Sequence, residues 1–152
     1  MKILFVCTGN TCRSPMAEAY FCDLCKKGKR NDIDVASAGI CAGNNISASP
    51  EAIRVMLNYN IDISKHKSQQ LGESLIKSSD LIVVMTKFHK KAILESFSFI
   101  ADKVFLLHEF DNCQKDILDP FGGDFNAYNE CVAEMTPLLY NLFSEAIYLH
   151  GY

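Results

Sequence analysis

No apolar run in this sequence approaches the roughly 20 residues needed to cross a bilayer, so a membrane-spanning role is set aside. A surplus of basic charge is missing too. The 152 residues carry 15 Lys and Arg against 18 Asp and Glu, a net charge of −3. A general nucleic-acid binder needs lysine and arginine to displace counterions from a phosphate backbone, so no nucleic-acid partner is expected. Met1 and Lys2 are followed only by the short apolar stretch Ile3 to Val6, too little for the heart of a secretion signal. A cytoplasmic location is expected. Internal repeats, low-complexity tracts and linkers are absent, and 1–152 reads as a single domain.

Seven cysteines stand at positions 7, 12, 22, 25, 41, 113 and 131. An odd count at irregular spacing does not make a secreted disulfide framework, so free thiols in a reducing cytosol are expected. Cys22 and Cys25 form a lone CxxC with no second Cys or His pair at zinc-site spacing. They read as two thiols within a helix, and neither a metal nor a cofactor is expected.

Hydrophobic residues make up 49% and charged residues 22%, the balance of an ordinary globule. Short apolar runs alternate with longer helical patterns. Lys2 to Cys7, Ile33 to Ala38, Asp80 to Met85 and Lys103 to Leu107 read as strands. Helices are expected over Pro15 to Lys29, Pro50 to Asn58 with Ser49 as its N-cap, about Leu71 to Lys77, Lys87 to Phe97, and Phe125 to Tyr148 with Pro137 as a break or kink. This alternation predicts an α/β fold, a parallel sheet with helices on both faces. Ligands then bind beyond the carboxyl ends of the strands, where the winding reverses. The segment from His108 to Asp124 shows little periodicity and holds Pro120, Gly122 and Gly123. A loop of that length is often functional in a compact domain.

The first strand runs directly into Cys7-Thr8-Gly9-Asn10-Thr11-Cys12-Arg13-Ser14-Pro15, and a helix follows at once. Pro15 suits the first helical position and Ser14 the cap outside it. The loop from Thr8 to Arg13 can then turn its amides inward, beside the positive end of the helix, as a cradle for an anion. Gly9 permits a tight turn, and Asn10 tolerates left-handed backbone. The same cradle favours an ionised Cys7 sulfur, a ready nucleophile. Arg13 offers a planar fork that grips two phosphate oxygens. A Walker loop would need Gly-Lys-Ser/Thr, and a dinucleotide fingerprint three glycines; neither occurs here. A leaving oxygen needs a proton, and Asp119, Glu109, Asp111, Asp116 and Asp124 all lie in the long loop as candidate acids.

CTGNTCRSPMAEA at the start, SAG at 37–39, NIDIS-K-H at 60–66 and DPFGG at 119–123 together resemble the low-molecular-weight protein tyrosine phosphatase family. The resemblance covers nearly the whole chain. It implies a four-stranded parallel sheet flanked by helices, and hydrolysis of phosphotyrosine or small aryl phosphates through a phosphocysteine on Cys7, with inorganic phosphate released. Phosphate would be held by the backbone of Thr8, Gly9, Asn10, Thr11 and Cys12 and by Arg13. Asp119 would be the acid and then the base. Ser14 would donate to the Cys7 sulfur, and Asn10, Ser37 and His66 would hold the loop in shape. Cys12 would capture an oxidised Cys7 as a disulfide.

The chain departs from that family in the pocket walls. Relatives commonly carry an aromatic shortly after SAG, where this chain has Ile40-Cys-Ala-Gly-Asn-Asn-Ile46, a stretch that reads as a small or polar wall. Their Asp-Pro often precedes tyrosines, replaced here by Phe121 and glycines, so Phe121 is the candidate wall for a phenyl ring. Thr86 stands where many relatives have an acid. Two other functions suit such a loop: an arsenate reductase of the same fold, which needs relay thiols on a mobile segment, and a phosphate-reading module without catalysis. Ala42 to Asn112 contains no cysteine, which weighs against the relay. Retention of Cys7, Arg13, Ser14 and Asp119 together weighs against the binder.

Overall fold

The computed structural model describes residues 1–150. Four strands, β1 (Lys2–Cys7), β2 (Asp34–Gly39), β3 (Leu81–Val84) and β4 (Val104–Leu106), form one sheet in the order β2-β1-β3-β4. Every pairing is parallel, with Cys7 opposite Gly39, Val6 opposite Val84 and Val84 opposite Leu106. The five α-helices are α1 (Arg13–Lys27), α2 (Pro50–Leu57), α3 (Glu73–Ser78), α4 (Lys87–Ser96) and α5 (Phe125–His150). The expected single-domain α/β fold with a four-stranded parallel sheet is what the chain adopts.

Strand alternation divides the core. Ile3, Phe5 and Cys7 of β1 point to one face and pack with Phe21 of α1 and Leu139 and Leu142 of α5. Leu4 and Val6 point to the other, with Ile76 of α3, Ile93 of α4 and Leu106 of β4. Both faces of β1 are thus covered, which explains why its sequence reads as a continuous apolar run. The chain goes from β1 outward to β2 and then returns to β3 on the other side of β1. The winding therefore reverses at the carboxyl end of β1, where Cys7 sits.

The structure corrects several element boundaries. Helix α1 starts at Arg13 rather than at Pro15, and the residue flanking it is Cys12. Pro15 is harmless there, because first-turn amides lack intrahelical partners. Ser14 is the second helical residue and does not cap; its hydroxyl faces Cys7. Ser49 does flank α2, but no side-chain capping bond forms. Its hydroxyl meets Tyr128 and Cys12 instead. Helix α5 runs unbroken through Pro137; burial of Met135, Leu138, Leu139 and Leu142 on the sheet outweighs the lost bond. The segment from His108 to Asp124, expected as a long loop, opens with a 3₁₀ turn over Leu107–Asp111.

Candidate active site

The loop between β1 and α1 is held from outside by its carbonyls. Ile40 N donates to Cys7 O at 3.0 Å, Cys41 N to Thr8 O at 2.9 Å and Ser49 N to Thr11 O at 2.9 Å. His66 Nε2 stands 2.8 Å from Asn10 O. None of the amides of residues 8–13 donates to another protein group among the described residues. With their carbonyls tied outward, these amides are left for an anion, beside the N-terminus of α1. Gly39 makes the seat possible, since a Cβ there would lie 2.5 Å from Thr8 O and 3.0 Å from Asn10 N.

Asn10 is the pin of the loop. It is fully buried, with φ 56° in the left-handed region that Asn tolerates. Its Nδ2 donates to Ser14 Oγ at 2.8 Å and Ser37 Oγ at 2.9 Å, and its Oδ1 accepts from Gln69 N at 3.0 Å. This orders the neighbouring protons. Ser37, already accepting from Asn10, donates to the Glu18 carboxylate. Ser14, likewise accepting, has its own proton free for Cys7 Sγ at 2.9 Å, a nearer partner than Ala38 O at 3.5 Å. Burial pushes the Glu18 carboxyl up from its ordinary value, and Ser37 and His66 oppose that shift.

Arg13 is buried beside the loop. Its Nη1 donates to Ile117 O at 2.8 Å, and its Nη2 lies 3.2 Å from Asp119 Oδ2. The Asp119 side chain is 48% exposed, at the mouth of the cavity and open to a substrate. That cavity, about 320 Å³, is lined by Cys7, Thr8, Gly9, Thr11, Cys12, Arg13 and Asp119. Phe121, 73% exposed, and Ile46, 51% exposed, form walls together with Gly43. The wall expected to be small or polar is therefore partly apolar, because the chain turns at Asn45 (φ 59°) and brings Ile46 to the pocket.

Cys12 is buried behind the loop, 3.3 Å from Ser49 Oγ and 3.2 Å from the Tyr128 hydroxyl. Burial and the Cys12 contact push the Tyr128 phenol up to about 12. Cys7 and Cys12 are both free thiols.

The sequence-predicted residues Cys7, Thr8, Gly9, Asn10, Thr11, Cys12, Arg13, Ser14, Ser37, His66, Asp119 and Phe121 all converge here. Of the other candidate acids, Glu109 is engaged by Lys90 and Leu106 N, Asp116 by Lys87 N and Asp124 by Ala127 N. Asp119 alone among them lines the cavity with Cys7. Glu18, Gln69, His89, Tyr128 and Ser49 were not anticipated. Glu18 follows Ser14 by one helical turn, a spacing that marks a shared face. The others reach the loop from distant segments and carry no local signal.

Among the described residues no group of three or more His, Cys, Asp or Glu side chains is placed to hold a metal ion. Cys131 is buried, and burial pushes its thiol up to about 12, the opposite of what a relay thiol needs. No described helix is long and apolar enough to cross a membrane.

The sequence profile of the low molecular weight phosphotyrosine protein phosphatases matches residues 2–148. This chain belongs to that family. It is a cysteine-dependent phosphatase, an enzyme of phosphorylated proteins that yields phosphate. A protein-arginine-phosphatase of Bacillus subtilis (strain 168) is 43% identical over 93% of this chain and 94% of its own. The probable low molecular weight protein-tyrosine-phosphatase EpsP of Ralstonia nicotianae is 40% identical, over 86% of this chain and 85% of its own. A solved structure of YwlE arginine phosphatase, a mutant with a phosphorylated active site serine, superposes with a TM-score of 0.91 at 41% identity. That likeness covers 95% of each chain.

Proposed function

We propose that this phosphatase works in two steps at Cys7 on protein side chains whose leaving group is flat, phosphotyrosine and phosphoarginine. In the first step the Cys7 sulfur attacks phosphorus in line. The bond to the leaving oxygen or nitrogen breaks as Asp119, protonated, delivers its proton to that atom. The amides of 8–13 and the Arg13 fork carry the charge on the equatorial oxygens. In the second step Asp119, now a carboxylate, takes a proton from water, which attacks phosphorus. The P–S bond breaks, inorganic phosphate leaves, and the Cys7 sulfur departs as a thiolate eased by the Ser14 proton.

One observation supports this reading above others: the loop amides beside Cys7 have no protein acceptor among the described residues, and Cys7, Arg13 and Asp119 line one cavity with Arg13 and Asp119 in contact. The test is hydrolysis of p-nitrophenyl phosphate by wild type, Cys7→Ser and Asp119→Ala. Turnover in the wild type, none with Cys7→Ser and a large loss with Asp119→Ala are expected. A wild type that binds phosphate but never turns over would leave a binding module. Thioredoxin-coupled turnover of arsenate without ester hydrolysis would leave a reductase.

Between the two substrates, phosphoarginine is favoured by a specific observation. The cavity is lined by Phe121 and Ile46, apolar side chains against which a phenyl ring or a guanidinium can lie, and also by Thr11 and Asp119, whose side chains carry oxygens. A guanidinium has N–H groups that need such oxygens, and a phenyl ring has none. The 43% identical Bacillus relative is named for phosphoarginine. Peptides of one sequence carrying either phosphoresidue are expected to show a higher kcat/KM for phosphoarginine. A phosphotyrosine preference would overturn this ranking and leave the Cys7 mechanism untouched. The seven free cysteines fit a reducing compartment, and we place the enzyme in the cytoplasm, with Cys12 as the partner that rescues oxidised Cys7.

A further inference from the structure

His89 touches the phosphate loop, and the reaction above does not use it. It is the third residue of α4, 1% exposed, and its backbone amide donates to the Thr86 hydroxyl that starts the helix. Its Nε2 stands 2.9 Å from Thr8 Oγ1. Thr8 lines the cavity beside Cys7, and its hydroxyl has no other hydrogen-bond partner among the described residues. The second ring nitrogen, Nδ1, is buried with no partner at all, a state it shares among the described residues only with Arg13 Nε. Unpartnered buried polar atoms are uncommon, and two of them beside one loop need an explanation.

The tautomer follows from that pairing. A hydrogen on Nδ1 would be a buried N–H with no acceptor, which folded proteins avoid. Burial and Arg13 together hold the ring neutral, down to about 4. A hydrogen on Nε2 leaves Nδ1 a bare lone pair and gives Thr8 Oγ1 a donor. A hydroxyl that already accepts has its own proton to spend elsewhere.

We infer that His89 is a positioning residue for the reaction, donating from Nε2 to Thr8 Oγ1 so that the Thr8 hydroxyl donates to a peripheral oxygen of the bound phosphoryl group. The arrangement repeats, on the β3 side of the loop, what Asn10 does for Ser14. A second side chain fixes a hydroxyl by occupying its acceptor site, and the proton is aimed at the reacting centre. The ligand class is a tetrahedral or trigonal oxyanion, and the inference rests on the reading of the Cys7 cavity as an oxyanion site.

The test compares Thr8→Val, Thr8→Ser, His89→Leu and His89→Gln for orthovanadate affinity and for kcat and KM on p-nitrophenyl phosphate. A hydrogen bond to a charged oxygen predicts that Thr8→Val weakens vanadate and lowers kcat/KM about tenfold or more. His89→Leu should lose as much, and the double variant no more than either single change. Thr8→Ser and His89→Gln, whose amide can donate from the place of Nε2, should stay within about threefold of wild type. Nitrogen-15 NMR of the wild type at neutral pH should show His89 protonated at Nε2 and bare at Nδ1, a signature that packing alone would not require. Thr8 is exposed, so Thr8→Val folds even if His89→Leu does not. Wild-type vanadate affinity and turnover in Thr8→Val, or a proton on Nδ1, would overturn the inference. A wild type that fails to bind vanadate would overturn it too, by removing the oxyanion site itself.

Discussion

Replacing Asn10 by alanine removes three side-chain bonds, those to Ser14 and Ser37 buried and that to Gln69 N part-buried. It also leaves an alanine at φ 56°. Each such bond contributes about 1 kcal/mol, and left-handed backbone costs an alanine about 1 kcal/mol more. The expected loss is therefore about 4 kcal/mol, within the total of roughly 5–15 kcal/mol typical of a domain. For a chain of this size that lowers Tm by roughly 8–16 °C. Activity should fall further than folding explains, because Ser14 no longer has its proton turned to Cys7. A kcat lower by about 10- to 100-fold, measured well below the variant's Tm, is expected from the lost hydrogen bond to a charged sulfur. Asn10→Gly removes the backbone strain and keeps the lost bonds, so it should recover about 1 kcal/mol and none of the activity. Urea unfolding with steady-state kinetics decides the matter. An Asn10→Ala enzyme with unchanged midpoint and a kcat within about twofold of wild type would refute the reasoning.

Arg13→Lys keeps the charge and loses the planar fork and the Ile117 anchor; kcat should drop by about 10²–10³, and a value near wild type would mean that charge alone suffices. His89 titrates at about 4 in the fold against 6.5 ordinarily, so the unfolded chain binds more protons between those values. Stability should fall as pH drops from about 6.5 to 4, by about 3 kcal/mol, and this component should vanish in His89→Gln. Urea midpoints that move equally with pH in both proteins would contradict it. After peroxide, Cys12→Ser should recover less activity with added thiol than wild type; equal recovery removes the protective role of Cys12.

Legibility in the sequence followed the range of each interaction. Strand β1, its loop and α1 were readable because the apolar run, the single glycine and the Cys-to-Arg spacing all act within one local segment. The start of α1 was misplaced by two residues, since Ser14 and Pro15 both have strong local preferences that the fold overrides. Ser14 is drawn to Cys7 and Asn10, and Pro15 needs no amide partner in the first turn. The role of Asp119 could be narrowed only by resemblance, because five acids share its loop and only the folded chain shows which of them reaches Cys7. His89 and Tyr128 stayed hidden because their meaning lies in contacts spanning 81 and 116 residues of chain. Ile46 was hidden for a different reason, since a left-handed Asn45 decides where that wall faces.

The central claim is that phosphorus passes through the Cys7 sulfur, and pre-steady-state release of p-nitrophenol tests it most directly. Mixing enzyme with excess p-nitrophenyl phosphate should give a burst equal to the concentration of active sites, followed by a slower steady rate. Phosphorus-31 NMR of enzyme quenched in alkaline denaturant should show a thiophosphate ester on Cys7 during that burst. Linear release from the first turnover, with phosphate never found on the protein, would contradict the account.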